Sequence, residues 1–236
     1  MQVCITVDME HDCPPFLRTY RGVTQGTPRL LELLSGEGVK ATFFTTGDVA
    51  RRFPDTIRSI VDGGHELGCH GDSHRRFSAM DPTTARQELH DATDVLRKFY
   101  PVASFRAPNL DFPASFLPFL RDLGYKVDSS EGRHKPGSFF KAPYTAERVR
   151  RVPASTAPSL VRLPRLIRER FYARMKDPVV FFFHPWEFVD VTREPIPIDC
   201  RFRTGEPALR TLRETIGFYR GRGATFRRMA ELAAQA

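Results

Sequence analysis

The chain has 236 residues, of which 41% are hydrophobic and 27% are charged, with 36 Lys and Arg against 28 Asp and Glu. This balance excludes disorder, collagen and coiled coil, because so many apolar residues can bury a full core. No apolar run approaches the roughly 20 residues that a membrane span needs. The net charge of +8 favours anionic partners. Because the first strand pattern begins at the start of the sequence without a leader, we expect a cytoplasmic protein.

Apolar runs typical of strands alternate with helical patterns along the whole chain. The predicted strands are 2–7, 40–45, 65–69, one ending at 105–106, 125–128, 148–152 and 178–183. The predicted helices are 27–36, 54–62, 82–100, 113–123, 164–175, 206–219 and one beginning at 226. This alternation predicts parallel strands joined by right-handed crossovers.

A single α/β domain over residues 1–236 is expected, since no linker, low-complexity tract or internal repeat interrupts the pattern. About seven β/α units favour a distorted barrel over an open sheet. The cysteines are too few and too scattered for a disulfide framework, so we expect free thiols at Cys4, Cys13, Cys69 and Cys200.

Side chains capable of chemistry follow five of the predicted strands. They are Asp8 and Glu10, His70 and His74, Arg106, Asp128, and His184. In parallel α/β folds the catalytic groups collect at the carboxyl ends of strands, so we expect these side chains to converge.

His70 and His74 are separated by four positions, so one turn can direct both imidazoles at one point. Two neutral imidazoles and a carboxylate are a common ligand set for catalytic Zn²⁺, with one position left for water. A second carboxylate could accept the proton of that water, and a further histidine could protonate a leaving amine. The set predicts metal-assisted hydrolysis of an amide-like bond. The alternative is a pair of surface histidines in a polar loop.

At residues 6–10, 70–74, 105–108, 125–130 and 183–185 the sequence resembles, in order, the five motifs of the polysaccharide deacetylases. This family is also called the NodB-homology family or carbohydrate esterase family four. The Asp-x-Glu form of the first motif is more similar to the cytoplasmic branch of peptidoglycan-deacetylase-like and allantoinase-like proteins. The resemblance implies a distorted (β/α)7 barrel and a homo-oligomer.

The resemblance also implies one divalent metal ion, Zn²⁺ being the expected one. It assigns His70 and His74 as ligands, and Glu10 as the best match to the third ligand. Because a glutamate departs from the family's shorter acid, Asp12 remains a rival to Glu10.

Catalytic roles follow from the same resemblance. Asp8 is the expected general base, held ionised by Arg106. His184 is the expected general acid, with Asp128 helping to keep it protonated. The backbone N–H of Asn109 is the nearest candidate for the oxyanion donor, because the preceding proline has none.

These features together predict a metal-dependent deacetylase of an N-acylated sugar, which could be nucleotide-linked or lipid-linked. One alternative is a deformylase or ureide hydrolase that uses the same site on a lipid-linked or small substrate. Another is a metal-free carbohydrate-binding pseudoenzyme. No sequence motif supports nucleic-acid binding.

Two basic segments have no assigned role. The longer one, 162–176, is expected to be a barrel helix with a solvated Arg face; the alternative is a dock for phosphate at a membrane surface. The shorter one, 133–135, is the start of the segment 133–140. This segment and the segment 187–203 are expected to determine which substrate is accepted.

Overall fold

The computed structural model describes residues 1–135 and 142–235, so part of segment 133–140 lies outside the described residues. The strands are β1 (Gln2–Met9), β2 (Thr42–Thr45), β3 (Glu66–Cys69), β4 (Ser104–Phe105), β5 (Val127–Asp128), β6 (Tyr144–Ala146), β7 (Val149–Arg151), β8 (Val179–Phe183) and β9 (Thr225–Phe226). The α-helices are α1 (Thr27–Gly36), α2 (Gly47–Arg52), α3 (Pro54–Asp62), α4 (Pro82–Leu96), α5 (Leu117–Asp122), α6 (Pro158–Val161), α7 (Arg165–Tyr172), α8 (Ile198–Arg201) and α9 (Glu206–Arg220).

In the described part of the chain the strands form one curled sheet in the order β6-β7-β5-β4-β3-β2-β1-β8, with β9 also paired to β1. All pairs are parallel except β6 with β7. Irregular chain after β7 also reaches the edge strand β8, where the Ser155 N–H donates to the Val180 carbonyl at 2.8 Å. The predicted α/β class and distorted barrel are confirmed.

The core lies between the sheet and its helices, and β8 is its most apolar strand. All five residues of β8 are buried, as expected for a strand covered on both faces. Tyr172 of α7 and Tyr219 of α9 pack on Phe181 with ring centroids 5.2 and 5.6 Å away. These contacts fix the outer helices against the strand that carries His184 at its end.

The structure differs from the predicted elements in several places. Helix α2 was not expected in the loop after β2; it is capped by the Thr46 hydroxyl, which accepts from the Val49 N–H at 3.3 Å. The residues from 226 onward are not an α-helix, because β9 adds to β1 and a 3₁₀ segment follows at Met229–Gln235.

The basic segment 162–176 also differs from its expected form, since only Arg165–Tyr172 is a continuous α-helix of two turns. Arg162 and Arg168 are buried rather than solvated. Buried guanidinium groups must be hydrogen-bonded, so these two arginines have structural partners that the sequence pattern did not reveal.

Candidate active site

The carboxyl ends of β1, β3, β4 and β8 meet at one edge of the sheet because these strands are parallel and close in the sheet order. Asp8 is the penultimate residue of β1, and Glu10 directly follows the strand. Both side chains are buried, and β3, which is separated from β1 by β2 in the sheet, leads straight into His70. The predicted convergence therefore occurs for the side chains that follow β1, β3, β4 and β8, and Asp128 of β5 does not share in it.

Glu10, His70 and His74 form a compact cluster. The Glu10 Oε2 atom lies 2.5 Å from His74 Nε2 and 3.2 Å from His70 Nε2. One ligand atom from each of the three residues lies within 4.8 Å of the others. A carboxylate and two imidazoles at this spacing can hold one divalent ion.

The backbone around the two histidines directs them into the cluster. His70 Nδ1 lies 2.7 Å from the Arg106 carbonyl, so Nδ1 carries the proton and Nε2 is left as the ligand atom. His74 has a φ of 60°, a left-handed conformation that is uncommon outside glycine. Such strain is retained mostly where a side chain must be aimed at a functional point.

The charge of the cluster also suits a cation. Burial alone would raise the pKa of Glu10, but His74 and His70 outweigh burial and hold the pKa of this carboxyl well below its usual range. Burial lowers the pKa of His74, whereas Glu10 raises it, with a net increase. A buried carboxylate needs positive charge beside it, and a divalent ion supplies that charge in place of the proton on His74. The residues present therefore fit a metal site.

Arg106 holds the other carboxylate, Asp8. Its Nη1 donates to Asp8 Oδ1 at 2.8 Å and to the Thr6 hydroxyl at 2.6 Å. Its Nη2 donates to the Ser129 hydroxyl at 2.9 Å, and the guanidinium stacks over Phe44. Arg106 is fully buried, so this hydrogen bond keeps the Asp8 side chain in one orientation.

His184 faces Glu10 from the end of β8, with His184 Nε2 3.8 Å from Glu10 Oε1. Its Nδ1 lies 2.9 Å from Glu187 Oε1, and its ring stacks on Trp186. Burial lowers the pKa of His184, but the hydrogen bond with Glu187 and the charge of Glu10 outweigh burial and raise the pKa to about 9. Nε2 is thus a protonated nitrogen at the cluster.

Glu187 is a site residue to which the sequence reasoning gave no role, although it lies in the polar stretch that follows the last predicted apolar strand. It is fully buried, and Arg162 Nη1 lies 3.3 Å from its Oε2 atom. Burial raises the pKa of Glu187, but Arg162 and His184 outweigh burial and lower it. The sequence feature that could have indicated this contact is the spacing of three residues between His184 and Glu187. In a 3₁₀ turn, residues at this spacing lie next to each other.

Asp128 does not contact His184, which corrects the expected role of Asp128. Its Oδ2 accepts from Arg151 Nε at 2.6 Å, and its Oδ1 accepts from Ser130. Arg151 lies on β7, directly opposite Asp128 in the register of β5 with β7. Asp128 therefore anchors that strand pair rather than the candidate proton donor.

Asp12, the rival ligand, lies outside the cluster. Its carboxylate accepts from the Thr19 hydroxyl at 2.7 Å and from the N–H groups of Arg21 and Gly22, each at 2.8 Å. These bonds hold the loop that follows β1. The geometry favours Glu10 as the third ligand.

A cavity of about 360 Å³ opens over the cluster. Its walls combine the catalytic side chains with apolar and cationic residues: Asp8, Glu10, Cys13, Pro14, His70, His74, Arg76, Asn109, Leu110, His134, Lys135, Phe182, His184, Trp186 and Cys200. Asn109 has a φ of 59° and lies at the cavity, as expected for the candidate oxyanion donor.

Comparison with known proteins gives the family. The model described as polysaccharide deacetylase matches residues 3–127, more than half of the chain. A peptidoglycan deacetylase from Helicobacter pylori is 44% identical over 110 residues, which cover 44% of this chain and 36% of that protein. A chitin deacetylase from Colletotrichum lindemuthianum is 34% identical over 109 residues, covering 43% of this chain and 44% of that protein. The chain thus spans less than half the length of these relatives.

A solved structure with a similar fold carries the same family name. A solved structure from Mycobacterium smegmatis, named for this family, superposes with a TM-score of 0.75 at 21% identity and covers 99% of this chain and 89% of that one. Because the family model covers the part of the chain that carries Asp8, Glu10, His70, His74 and Arg106, the motif resemblance is confirmed. The chain belongs to the polysaccharide deacetylase family.

Proposed function

We propose that the protein is a metal-dependent hydrolase that removes the acyl group, most simply acetyl, from an N-acylated sugar. The contact of Glu10 with both His70 and His74 carries this proposal, because it offers three ligands and faces a second, independently held carboxylate. When bound, a divalent ion lowers the pKa of water and polarises a carbonyl.

The protein's own residues supply the proton transfers. Asp8 accepts a proton from the attacking water while Arg106 keeps the carboxylate in place. His184 donates the proton of Nε2 to the departing amine, and Glu187 behind it holds the ring in that orientation. The backbone N–H of Asn109 stabilises the developing oxyanion.

The shape of the cavity supports a short acyl group. Leu110 and Phe182 belong to one small apolar cluster and line the wall beside the catalytic residues. An acetyl methyl group fits such a wall without burying polar atoms. The larger remaining space suits a sugar ring.

The rim of the cavity supports a substrate that carries an anionic group. Arg76 and Lys135 both line the cavity; neither forms an ion pair among the described residues, and Lys135 Nζ donates to the carbonyls of Asn109 and Leu110. Burial lowers the pKa of Lys135, Asp111 opposes this effect, and Arg76 adds to it. Two cationic side chains close together at a cavity can bind a carboxylate or phosphate group of a ligand. We therefore favour an acidic N-acylated sugar, such as a nucleotide-linked or lipid-linked one.

The experiment is amine release from N-acetylglucosamine oligomers and peptidoglycan fragments by the protein supplied with divalent metal. We expect Asp8→Asn and His184→Gln each to reduce kcat/KM by at least about a hundredfold. His90→Gln is the matched control, since His90 is an exposed histidine paired only with Asp94. An N-formyl sugar and a ureide in the same assay test the deformylase and ureide alternatives. No release from any of these substrates would contradict the proposal.

A further inference from the structure

Helix α7 presents an apolar face to solvent. Leu166 is 77% exposed, Phe171 is 52% exposed and Ile167 is 44% exposed. At 3.6 residues per turn these three side chains fall within an arc of roughly 140°, on the side of the helix that faces away from the buried Arg168 and Tyr172. We call them, with Arg170 and Arg174 on the same side, the α7 face.

The packing of α7 fixes this orientation. Tyr172 is buried, and its hydroxyl lies 3.0 Å from the Thr215 hydroxyl of α9. Arg168 is also buried, donates to the Leu163 carbonyl at 3.1 Å and forms an ion pair with Glu214. The helix is therefore anchored by an arginine and a tyrosine, and it cannot turn its leucine and phenylalanine inward without breaking those bonds.

The α7 face is positively charged as well as apolar. Arg170 and Arg174 are exposed, and neither pairs with a carboxylate among the residues that the structure describes. The only acid of the helix, Glu169, is paired with Arg165 at 2.8 Å. Apolar side chains beside unpaired cations are the pattern of a helix that lies in the interface of an anionic membrane.

A second copy of the chain fits this face less well. A two-fold interface places the same patch on both partners, so it would bring the arginines of both α7 faces together without a carboxylate from that face to pair with them. An anionic lipid surface instead accepts the apolar side chains and neutralises the arginines together. We propose that the α7 face docks the protein onto anionic lipid bilayers.

The segment that leads into α7 is linked to the wall of the cavity. Arg162, just before α7, donates to the carbonyls of Asp199 and Cys200 in α8, and Cys200 lines the cavity. These hydrogen bonds connect the chain that leads into α7 with one wall of the cavity. The docking itself does not depend on the proposed reaction.

The test is co-sedimentation of the full chain with vesicles of mixed phosphatidylcholine and phosphatidylglycerol, and with vesicles of phosphatidylcholine alone. We expect binding to the anionic vesicles that weakens at high salt. We expect Phe171→Gln and Leu166→Gln each to weaken it about tenfold, since each removes an apolar side chain from the interface. Phe16→Gln is the matched control, because Phe16 is equally exposed, at 52%, on another part of the surface.

Binding that is lost in both α7 variants and kept in Phe16→Gln supports the proposal. Absence of binding by the wild type, equal binding to neutral vesicles, or unchanged binding in both α7 variants overturns it. The oligomeric state is measured by light scattering on the same samples. A dimer that Phe171→Gln converts to a monomer, without vesicle binding, would also overturn it and would show that the face joins two copies.

Discussion

Glu187 joins the candidate proton donor to a buried cation, and this link holds His184 in one orientation at the end of β8. His184 Nδ1 contacts Glu187, and Glu187 in turn contacts Arg162, which is buried at the start of the basic segment. A buried carboxylate between two cations is stable only while both contacts are kept. The function of the site therefore depends on residues that do not line the cavity.

We predict that Glu187→Gln lowers kcat by about tenfold to a hundredfold with little change in KM. The reason is that Glu187 lies behind His184, so its charge acts on the proton donor and not on substrate contacts. Steady-state kinetics measure both constants. Glu194→Gln, which breaks the part-exposed pair with Arg21, serves as the control and should leave both constants unchanged. A rise in KM alone would contradict this role.

Arg76 and its neighbour Arg75 allow a test of substrate charge. Arg76 lines the catalytic cavity, whereas Arg75 lines the neighbouring groove. We predict that Arg76→Gln lowers the preference for an acidic substrate, because a charged hydrogen bond is lost. The kcat/KM for an acidic N-acetyl sugar, divided by the kcat/KM for a neutral one, should fall about tenfold. N-acetylglucosamine 6-phosphate and diacetylchitobiose are suitable probes. An equal fall in this ratio for Arg75→Gln would show that the preference for an acidic substrate comes from general surface charge and not from the cavity.

At the scale of elements, a loop and a turn pack together without side chains between them. The π-helical turn Gly22–Gly26 lies against the backbone of the 3₁₀ turn that follows His184. A Cβ on Gly26 would lie 2.1 Å from the Pro185 carbonyl oxygen, and one on Gly22 would lie 2.3 Å from the Trp186 nitrogen. These glycines let the loop after β1 support the turn that carries the proton donor.

We predict that Gly26→Ala lowers the free energy of unfolding by at least about 2 kcal/mol, because the backbone of the turn must move. The same shift displaces His184, so kcat should fall as well. Gly36→Ala is the control: nothing lies within 4 Å of a Cβ there, so it should be neutral or stabilise by up to about 1 kcal/mol. Urea unfolding of the two variants measures the difference. Equal stabilities would show that the loop and turn are not rigidly packed.

At the scale of the whole molecule, the buried histidine below the site couples stability to pH. His65 Nδ1 accepts from the Ala41 N–H at 3.0 Å, so the ring is neutral. Burial, helped by the charge of Lys40, lowers the pKa of His65 from 6.5 to about 4. As the pH falls below 6.5, the unfolded chain binds this proton first, and the folded state loses stability until the pH reaches about 4.

We predict that this histidine costs about 2 kcal/mol of stability on going from about pH 7.5 to about pH 5. In His65→Asn the amide oxygen can accept from the Ala41 N–H without titrating. The loss of unfolding free energy between the two pH values should therefore be smaller in the variant by that amount. Urea unfolding at both pH values measures it, and an identical loss in both proteins would contradict the assignment.

Much of this architecture could be predicted from the sequence, because apolar runs mark strands and polar residues at strand ends mark the site edge. The position of Asp8, Glu10 and the two histidines followed from that rule alone. The role of Asp128 could not be predicted, because its partner Arg151 is set by the pairing of β5 with β7, which no local pattern encodes. The burial of Arg168 was missed for the same reason, since its partner Glu214 is distant in sequence.

The most direct test of the central claim is the metal content of the purified protein by elemental analysis. We predict about one divalent ion per chain in the wild type, lost in His70→Ala, His74→Ala and Glu10→Gln. Asp12→Asn should keep the ion, because Asp12 binds the loop and not the cluster. A wild-type protein that binds no metal after incubation with Zn²⁺, or an ion that is lost in Asp12→Asn but kept in Glu10→Gln, would contradict the account.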